Sequence, residues 1–441
     1  MSTTKLLPAR VALGLALAAL AAPVNAAPRS AIFLHPDGMG ANTWAALRLH
    51  AVGPDGRLAW DQLPKLAIYV GPMTDAVNAS SNGGATTHAY GVRARLDSYG
   101  SIDGGQTAPV ALSGRRLSLL REAQAAGKRV AILNSSSVTE PGTGAFLATV
   151  DAREDEFDIA AQIMKAGPDL ILGGGEMFFL PRGVQGTHGE GQRADGRNLV
   201  EEARAAGYTV VHTAAELARL PAQGKDKVLG LFAAEHTFNE TDEATMRRTG
   251  VPVFQPQAPR FDALLAFALG RLRAAPKGYL IVGNEEATDN LSGENNAVGT
   301  LDAAAGADRA IALALAEARR NPRLTVVVAS DSDNGGLNAT SDDLDDPAEL
   351  PLPLPAHTAS GSRLSSDQGQ PYRTPPDRAG VRQRFYLTWA SDSDSAGGTV
   401  ARGIGPGAAL LRGTIDSIDV YRALYLGLFG KRLPAPGPVA H

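Results

Sequence analysis

The stretch Ala31-Ile32-Phe33-Leu34-His35-Pro36-Asp37-Gly38-Met39-Gly40 decides the fold of this chain. Its apolar run predicts a buried strand that ends at the carboxylate of Asp37, and the glycines that follow let the backbone turn tightly. In open α/β sheets, ligands bind beyond the carboxyl ends of the strands, so Asp37 is a candidate ligand-binding residue. Asp-Gly is also an ordinary turn dipeptide. The functional interpretation therefore depends on whether other strands end in similar chemistry.

Strand-like and helix-like patterns alternate along most of the 441 residues. Apolar runs of strand length occur at 31–34, 66–70, 129–133, 169–172, 208–212, 227–232, 279–283, 324–329 and 385–389. Helical patterns occur at 43–50, 117–126, 155–166, 198–206, 214–220, 261–273, 300–319 and 416–428. This alternation predicts one large α/β domain with a mostly parallel central sheet and helices on both faces. Residues 337–383 are predicted to form a loop-rich insertion, because they are rich in Pro, Ser, Asp and Gly and too long for a simple connector.

The N-terminus is typical of a secretory signal peptide. Lys5 and Arg10 precede an apolar run at 11–22 that is too short to span a bilayer, and Val24-Asn25-Ala26 follows. We expect residues 1–26 to be removed and 27–441 to form a periplasmic or secreted protein without a membrane span. The chain has no cysteine, and its 42 basic and 46 acidic residues show no basic stripe. A disulfide framework is therefore excluded, and a general nucleic-acid-binding surface is not expected.

A second motif, Ser80-Ser81-Asn82-Gly83-Gly84-Ala85-Thr86-Thr87-His88-Ala89-Tyr90-Gly91, places small residues ahead of a helix-compatible run. Ser81 would then lie at or near a helix N-terminus, where free amides and the positive end of the helix dipole suit a phosphate or an ionised nucleophile. The alternative is that Ser80 or Ser81 is simply an N-cap residue.

Together these motifs resemble the alkaline phosphatase family of metal-dependent phosphomonoesterases. The match rests on Asp37-Gly38-Met39-Gly40, on Ser81 followed ten residues later by Gly91-Val92-Arg93, and on segments 151–156, 170–175, 288–290, 329–336 and 418–422 in the same order. The resemblance covers most of 30–430 and is weak in 176–258 and 337–383. It implies that Ser81 is the nucleophile, that Arg153 binds phosphate and that a phosphoserine intermediate forms.

The resemblance also implies a set of metal ligands. Asp37, Asp289 and Asp331 match metal aspartates of the family. Glu140 aligns with an upstream magnesium ligand, beside Gly142 where the family has a threonine. Asn284 aligns with another magnesium carboxylate, which Glu285 or Glu286 could replace after a small shift. We take Glu285 as the candidate, and Asp394 as a ligand near the C-terminus.

Three zinc histidines of the family have no counterpart here. Gly293 and Ser332 occupy two of their positions, and the third falls within Asp394-Ser395-Ala396-Gly397-Gly398. The remaining candidate set, Asp37, Ser81, Asp289, Asp331 and Asp394, offers only oxygen. Oxygen ligands suit magnesium, calcium or manganese, whereas imidazole suits zinc. We therefore expect a hard cation, or zinc bound more weakly than is usual in the family. His35, two residues before Asp37, is near enough in sequence to approach the site.

The resulting hypothesis is an exported hydrolase that cleaves small phosphate monoesters through a phosphoserine, assisted by divalent metals. One alternative is a phosphodiesterase on the same scaffold, and another is a catalytically inactive relative that binds anions or metal. A sulfatase is disfavoured, because no Cys/Ser-x-Pro-x-Arg pattern follows Ser81. The resemblance also suggests a homodimer.

Overall fold

The computed structural model describes residues 28–341, 352–358 and 360–435, so the predicted signal peptide at 1–26 lies outside the described residues. The strands are β1 (Ser30–Pro36), β2 (Lys65–Val70), β3 (Arg129–Ser137), β4 (Leu170–Gly174), β5 (Tyr208–Val211), β6 (Lys227–Leu231), β7 (Tyr279–Glu285), β8 (Leu324–Ala329), β9 (Asp333–Asn334), β10 (Asn338–Thr340), β11 (Arg363–Ser365), β12 (Tyr372–Arg373), β13 (Arg384–Trp389), β14 (Asp394–Ser395), β15 (Val400–Ile404) and β16 (Arg412–Asp416).

The α-helices of the described residues are α1 (Ala41–Ala51), α2 (Ser81–Tyr90), α3 (Leu119–Ala125), α4 (Pro141–Gly144), α5 (Glu156–Ala166), α6 (Leu199–Ala205), α7 (Ala214–Arg219), α8 (Glu243–Thr249), α9 (Phe261–Leu272), α10 (Ala287–Gly293), α11 (Ala297–Arg320) and α12 (Ile418–Phe429). None of them is long and apolar enough to cross a membrane.

Ten strands form the central sheet in the order β16-β2-β15-β8-β1-β7-β3-β4-β6-β5. Within this sheet, β15 runs antiparallel to its neighbours β2 and β8, and the other pairs are parallel. Apolar clusters cover both faces, so β1 is buried along its whole length and needs the continuous apolar run seen in its sequence. The predicted α/β class with a mostly parallel sheet is confirmed.

Two differences from the sequence prediction lie near the C-terminus. The run at 385–389 does form β13, but this strand pairs with β10, β11 and β12 in a separate four-stranded sheet. Three of those strands come from the predicted insertion at 337–383, of which residues 342–351 and 359 are not described. The central sheet contains β15 and β16 in place of β13. The sequences of these two strands, VARGI and RGTID, lack an apolar run.

The position of β1 at the middle of the sheet determines where a site can form. It lies between β8 and β7, and β3 follows on the other side of β7. These four strands are parallel, so their carboxyl ends meet at one edge of the sheet, which is where ligands bind in such folds. Helix α2 begins at the same edge, as its contacts with the residues after β8 show.

Candidate functional site

Asp37 and Asp331 lie together at the carboxyl ends of the neighbouring strands β1 and β8. Their side chains are almost completely buried, and neither carboxylate oxygen of either residue has a hydrogen-bond partner. Burial, followed by the negative charge of Asp331, raises the pKa of Asp37 well above its ordinary value. Two adjacent buried carboxylates without donors are costly unless a cation lies between them.

Ser81 is the first residue of α2, as the motif predicts. The N-cap is Ser80, whose hydroxyl accepts a hydrogen bond from the amide of Gly83 at 3.4 Å, so the capping role falls to the neighbour of Ser81. A Cβ on Gly84 would lie only 2.5 Å from the Cβ of Asp331, which shows that the first turn of α2 packs directly on this aspartate. Ser81 precedes Gly84 by three residues and therefore shares its helix face. The first turn of α2, on which Ser81 lies, thus packs against Asp331.

Asp289 and Asp394 complete the acidic cluster from two other directions. Asp289 lies on α10, and a Cβ on Gly38 would be 3.0 Å from its Cα, so α10 touches the turn after Asp37. Asp394 lies in β14, whose antiparallel pairing with β9 carries it back to the site. There its Oδ1 accepts a hydrogen bond of 2.6 Å from the hydroxyl of Ser332. Burial and the charge of Asp331 raise the pKa of Asp394 to about 6, and burial and Asp394 raise that of Asp289 well above its ordinary value.

Arg153 and Glu140 form an ion pair at the border of the cluster. An Nη2 of Arg153 donates to Oε2 of Glu140 at 2.7 Å, and 40% of the arginine side chain is exposed while the glutamate is buried. Arg153 is thus anchored at one end of its guanidinium and open to a ligand at the other. The same glutamate raises the pKa of the buried Glu286, in addition to the larger effect of burial.

The structure does not bring Glu285 to this cluster, and Glu286 lies there instead. The carboxylate of Glu285 faces Ser135 and the charges of Asp302 and Arg260, on the side of the sheet covered by α9 and α11. Burial raises its pKa to about 8. The carboxylate of Glu286, the residue before α10, accepts a hydrogen bond from the amide of Asn284, which places it on the side of Asn284. The predicted ligand Glu285 thus lies away from the cluster.

An imidazole also lies among the candidate oxygen ligands, which the expected ligand set does not include. The imidazole of His35 lies between the two strand-end aspartates, with Nδ1 3.8 Å from Oδ2 of Asp37 and Nε2 3.6 Å from Oδ1 of Asp331. One ligand atom from each of the three residues falls within 4.8 Å of the others. His35 reaches the site because residues i and i+2 of a strand share a face.

Further ionisable residues, absent from the sequence prediction, surround Arg153 and Glu140. Burial raises the pKa of Glu156 to about 7 and that of Glu240 to about 6, and both feel the charge of Glu140. The imidazole of His236 lies 3.6 Å from Oε1 of Glu240. Glu156 follows Arg153 by three residues, but Glu240 and His236 belong to a segment without periodicity, and no pattern in the sequence links them to the site.

The buried carboxylates of the cluster fit a divalent cation. Both oxygens of Asp37 and Asp331, Oδ1 of Asp289 and Oε1 of Glu286 are buried without a hydrogen-bond partner. Carboxylate oxygens that lack protein donors are what a bound cation would satisfy. Asp37, Asp331, Asp289 and Asp394 are the residues placed to hold such ions, beside the start of α2.

Comparison with known proteins gives matches along most of the chain. A family model described as alkaline phosphatase matches residues 29–348. The streptomycin-6-phosphate phosphatase of Streptomyces griseus is 29% identical over 351 residues, which cover 69% of this chain and 73% of that protein. The tissue-nonspecific alkaline phosphatase of Gallus gallus is 28% identical over 344 residues, and the match covers 70% of this chain but 64% of that protein's length.

Solved structures show the same fold at lower identity. The alkaline phosphatase of the Antarctic bacterium TAB5 superposes with a TM-score of 0.67 at 18% identity, over 91% of this chain and 98% of that one. A variant of the TAB5 enzyme has been solved with magnesium bound.

Proposed function

The chain belongs to the alkaline phosphatase family, and we propose that it is a metal-dependent phosphomonoesterase that hydrolyses small phosphate esters through a phosphoserine at Ser81. Members of this family are phosphatases that use divalent metals. The observation that supports the proposal for this chain is the packing of the first turn of α2, which begins at Ser81, against Asp331, whose carboxylate oxygens are buried without hydrogen-bond partners, as are those of Asp37.

Phosphoryl transfer requires that the reacting groups be positioned and that their charge be neutralised, and the residues of the site serve these two roles. Divalent cations held by Asp37, Asp331, Asp289 and Asp394 would supply positive charge for the attacking and leaving oxygens. The hydroxyl of Ser81 gives up its proton and attacks phosphorus; the P–O bond to the ester oxygen breaks, and that oxygen takes up a proton and leaves as the alcohol. Water then cleaves the phosphoserine, so that inorganic phosphate is released and the hydroxyl of Ser81 is regenerated.

Two features of the chain suit the phosphate group itself. The amides of Ser81 and Asn82 precede the first intrahelical hydrogen bond of α2, which Gly84 donates to the carbonyl of Ser80, and the positive end of the helix favours negative oxygens there. Arg153 presents a planar pair of N–H donors that matches two non-bridging phosphate oxygens. Its ion pair with Glu140 holds the guanidinium at the site border before substrate arrives.

The test is hydrolysis of p-nitrophenyl phosphate by purified protein, compared with bis(p-nitrophenyl) phosphate and screened over zinc, manganese, magnesium and calcium. We expect the monoester to be the better substrate and acid-quenched protein to carry phosphate on Ser81. Ser81→Ala should lower kcat/KM by about 1,000-fold or more. Ser80→Ala, which removes only the neighbouring N-cap hydroxyl, should stay within a few-fold of wild type.

The outcomes separate the proposal from its rivals. Preference for the diester would favour a phosphodiesterase. Phosphate binding without turnover of either ester, under every metal, would favour an inactive anion-binding relative. Equal activity of Ser81→Ala and Ser80→Ala would refute the assignment of the nucleophile.

We also propose that the protein is exported, because residues 1–26 have the pattern of a signal peptide. Mass spectrometry of protein recovered from the periplasm or the medium should show a mature chain that begins at Ala27. An intact Met1 terminus on cell-internal protein would contradict export.

A further inference from the structure

Two departures from the family pattern, Asn284 and Gly142, are in contact with each other in the structure, and Asn284 also contacts His35. Asn284 takes the place of an expected carboxylate, and its register partner across β1 and β7 is His35. Oδ1 of Asn284 lies 2.8 Å from Nδ1 of His35. A Cβ on Gly142 would lie 2.5 Å from the same Oδ1, so a threonine at this position could not coexist with the present position of Asn284.

The hydrogen bonds of Asn284 fix the orientation of its amide and the tautomer of His35. The Nδ2 of Asn284 donates to the carboxylate of Glu286, so its carbonyl oxygen is the group that faces the imidazole. A carbonyl oxygen can only accept, and therefore Nδ1 of His35 carries the proton. In a neutral imidazole, Nε2 then presents a lone pair.

That lone pair faces another acceptor. Nε2 of His35 lies 3.6 Å from Oδ1 of Asp331, and both atoms are buried without a hydrogen-bond partner. The separation is too long for a hydrogen bond. It is suitable for two atoms that share one cation, because bonds of about 2.0–2.2 Å to a tetrahedral ion place neighbouring ligand atoms roughly 3.3–3.6 Å apart.

We propose that His35, through Nε2, is a nitrogen ligand of the cation held by Asp37 and Asp331, and that Asn284 is its positioning residue. The arrangement of ligand imidazole and carbonyl acceptor is the usual one for metal-binding histidines, in which the second ring nitrogen donates to a neighbouring oxygen. This proposal rests on the proposed function only for the catalytic role of the cation. Metal binding by His35 is independent of that role. Ser332 cannot provide the nitrogen, and its hydroxyl is committed to Asp394.

A purely structural role explains part of the geometry of His35 but not all of it. The ring stacks on Phe33 with centroids 5.6 Å apart and meets the edge of His88 at 5.4 Å. Such packing would be served as well by an apolar side chain. It gives no reason for a nitrogen aimed at a carboxylate. His88 is equally buried and also has one nitrogen, Nε2, that is hydrogen-bonded, to the hydroxyl of Tyr69 at 3.0 Å, and one, Nδ1, without a partner. The feature that sets His35 apart is the carboxylate oxygen of Asp331 at 3.6 Å from its free nitrogen.

The consequence is a mixed ligand set at one cation position and an oxygen set at the other. One imidazole beside two carboxylates favours zinc over magnesium, calcium or manganese. The position formed by Asp289 and Asp394 keeps the hard character expected from sequence. The two positions should therefore differ in metal preference.

The test uses the full chain, stripped of metal and reloaded, with readouts that do not depend on turnover. Protein loaded with one equivalent of Cu²⁺ should show the electron spin echo modulation of a remote histidine nitrogen. His35→Leu should abolish it and weaken zinc binding, measured by chelator competition, by about 100-fold, while magnesium affinity changes less than about threefold. His88→Leu is the matched control for loss of a buried imidazole and should retain both signals.

Variants of Asn284 test the positioning role and guard against a misfolded His35 variant. Asn284→Leu should weaken zinc binding about 10-fold or more, whereas Asn284→Asp, which keeps an acceptor for the Nδ1 proton, should retain the nitrogen modulation. The proposal is overturned if His35→Leu folds and binds zinc within about twofold of wild type, or if the modulation persists in it. Nitrogen coordination in a protein that hydrolyses no ester would leave this inference standing and refute the proposed function alone.

Discussion

Gly84→Ala tests whether the contact between α2 and Asp331 sets the geometry of the reaction. The added Cβ would lie 2.5 Å from Cβ and 2.9 Å from Cγ of Asp331, whereas ordinary contacts begin at about 3.4 Å. Either the first turn of α2 or the aspartate must therefore move by about 1 Å. A displacement of this size between a nucleophile and its activating groups costs about 100-fold in rate, which corresponds to about 2.7 kcal/mol of transition-state stabilisation.

The effect on stability should be smaller than the effect on activity. Overpacking costs about 1–3 kcal/mol, but alanine in a helix returns about 1 kcal/mol relative to glycine. Urea denaturation should thus show that the variant is folded, whereas p-nitrophenyl phosphate hydrolysis should show a kcat/KM lowered about 100-fold. Gly293→Ala is the control: it lies on α10 beside the site, and its Cβ would meet Asn334 and Asp392 at 3.6 and 3.7 Å. A folded Gly84→Ala with the kcat/KM of wild type would refute the reasoning.

Three other substitutions have defined outcomes. Glu285→Gln should remove a pH-dependent loss of stability: the folded chain holds this proton to about pH 8 and the unfolded chain to about 4.5, a difference worth about 5 kcal/mol. As pH rises between these two values, the free energy of unfolding of wild type should fall relative to that of the variant. Urea titrations at matched metal concentration measure it, and parallel curves of unfolding free energy against pH would contradict the prediction. Arg153→Lys should lower kcat/KM about 10- to 100-fold, because a point charge replaces a fork of two donors; an unchanged KM for the ester and unchanged inhibition by phosphate would contradict the role. Gly293→His should raise zinc affinity at least about tenfold by restoring an imidazole beside Asp289, with chelator competition as the assay and an unchanged zinc affinity as the contrary result.

The sequence was sufficient for the parts of the site that follow from strand ends. Asp37 and Asp331 come directly after buried apolar runs, and the carboxyl ends of parallel strands meet at one edge whatever the details of the loops. Their proximity therefore depends only on the strands being neighbours. Ser81 is a similar case, since its motif predicts a helix start.

The choice between Glu285 and Glu286 could not be made from strand alternation. Strand β7 ends at Glu285, and Glu286 has helical φ and ψ of −65° and −35° at the residue before α10, so its position depends on that turn. Alternation does predict that His35 shares a face with Asp37, whose amide continues the pairing with β7 by donating to Glu285 at 3.2 Å.

Other parts could not be obtained from local pattern. Strands β15 and β16 join the central sheet with sequences of low apolar content, because β15 is only partly buried and β16, at the edge of the sheet, is exposed over Arg412, Gly413 and Thr414. Asp394 reaches the site only through the pairing of β14 with β9, two strands of two residues each. Pairings of this length leave no periodic signal.

Two histories would explain the missing zinc histidines: a metal site that has decayed, or a metal site whose ligands have been exchanged. A site that has stopped binding metal would gain stability by losing its buried carboxylates, since each uncompensated buried charge costs several kcal/mol. Here Asp37, Asp289, Asp331 and Glu286 are all present, with buried oxygens that lack donors. Gly142 and Asn284 depart from the family pattern together: the absence of a side chain at Gly142 leaves the space that Asn284 occupies, and Asn284 in turn lies 2.8 Å from Nδ1 of His35. This agreement between separate positions supports the proposal of a cation site whose ligands have been exchanged over one of a site in decay.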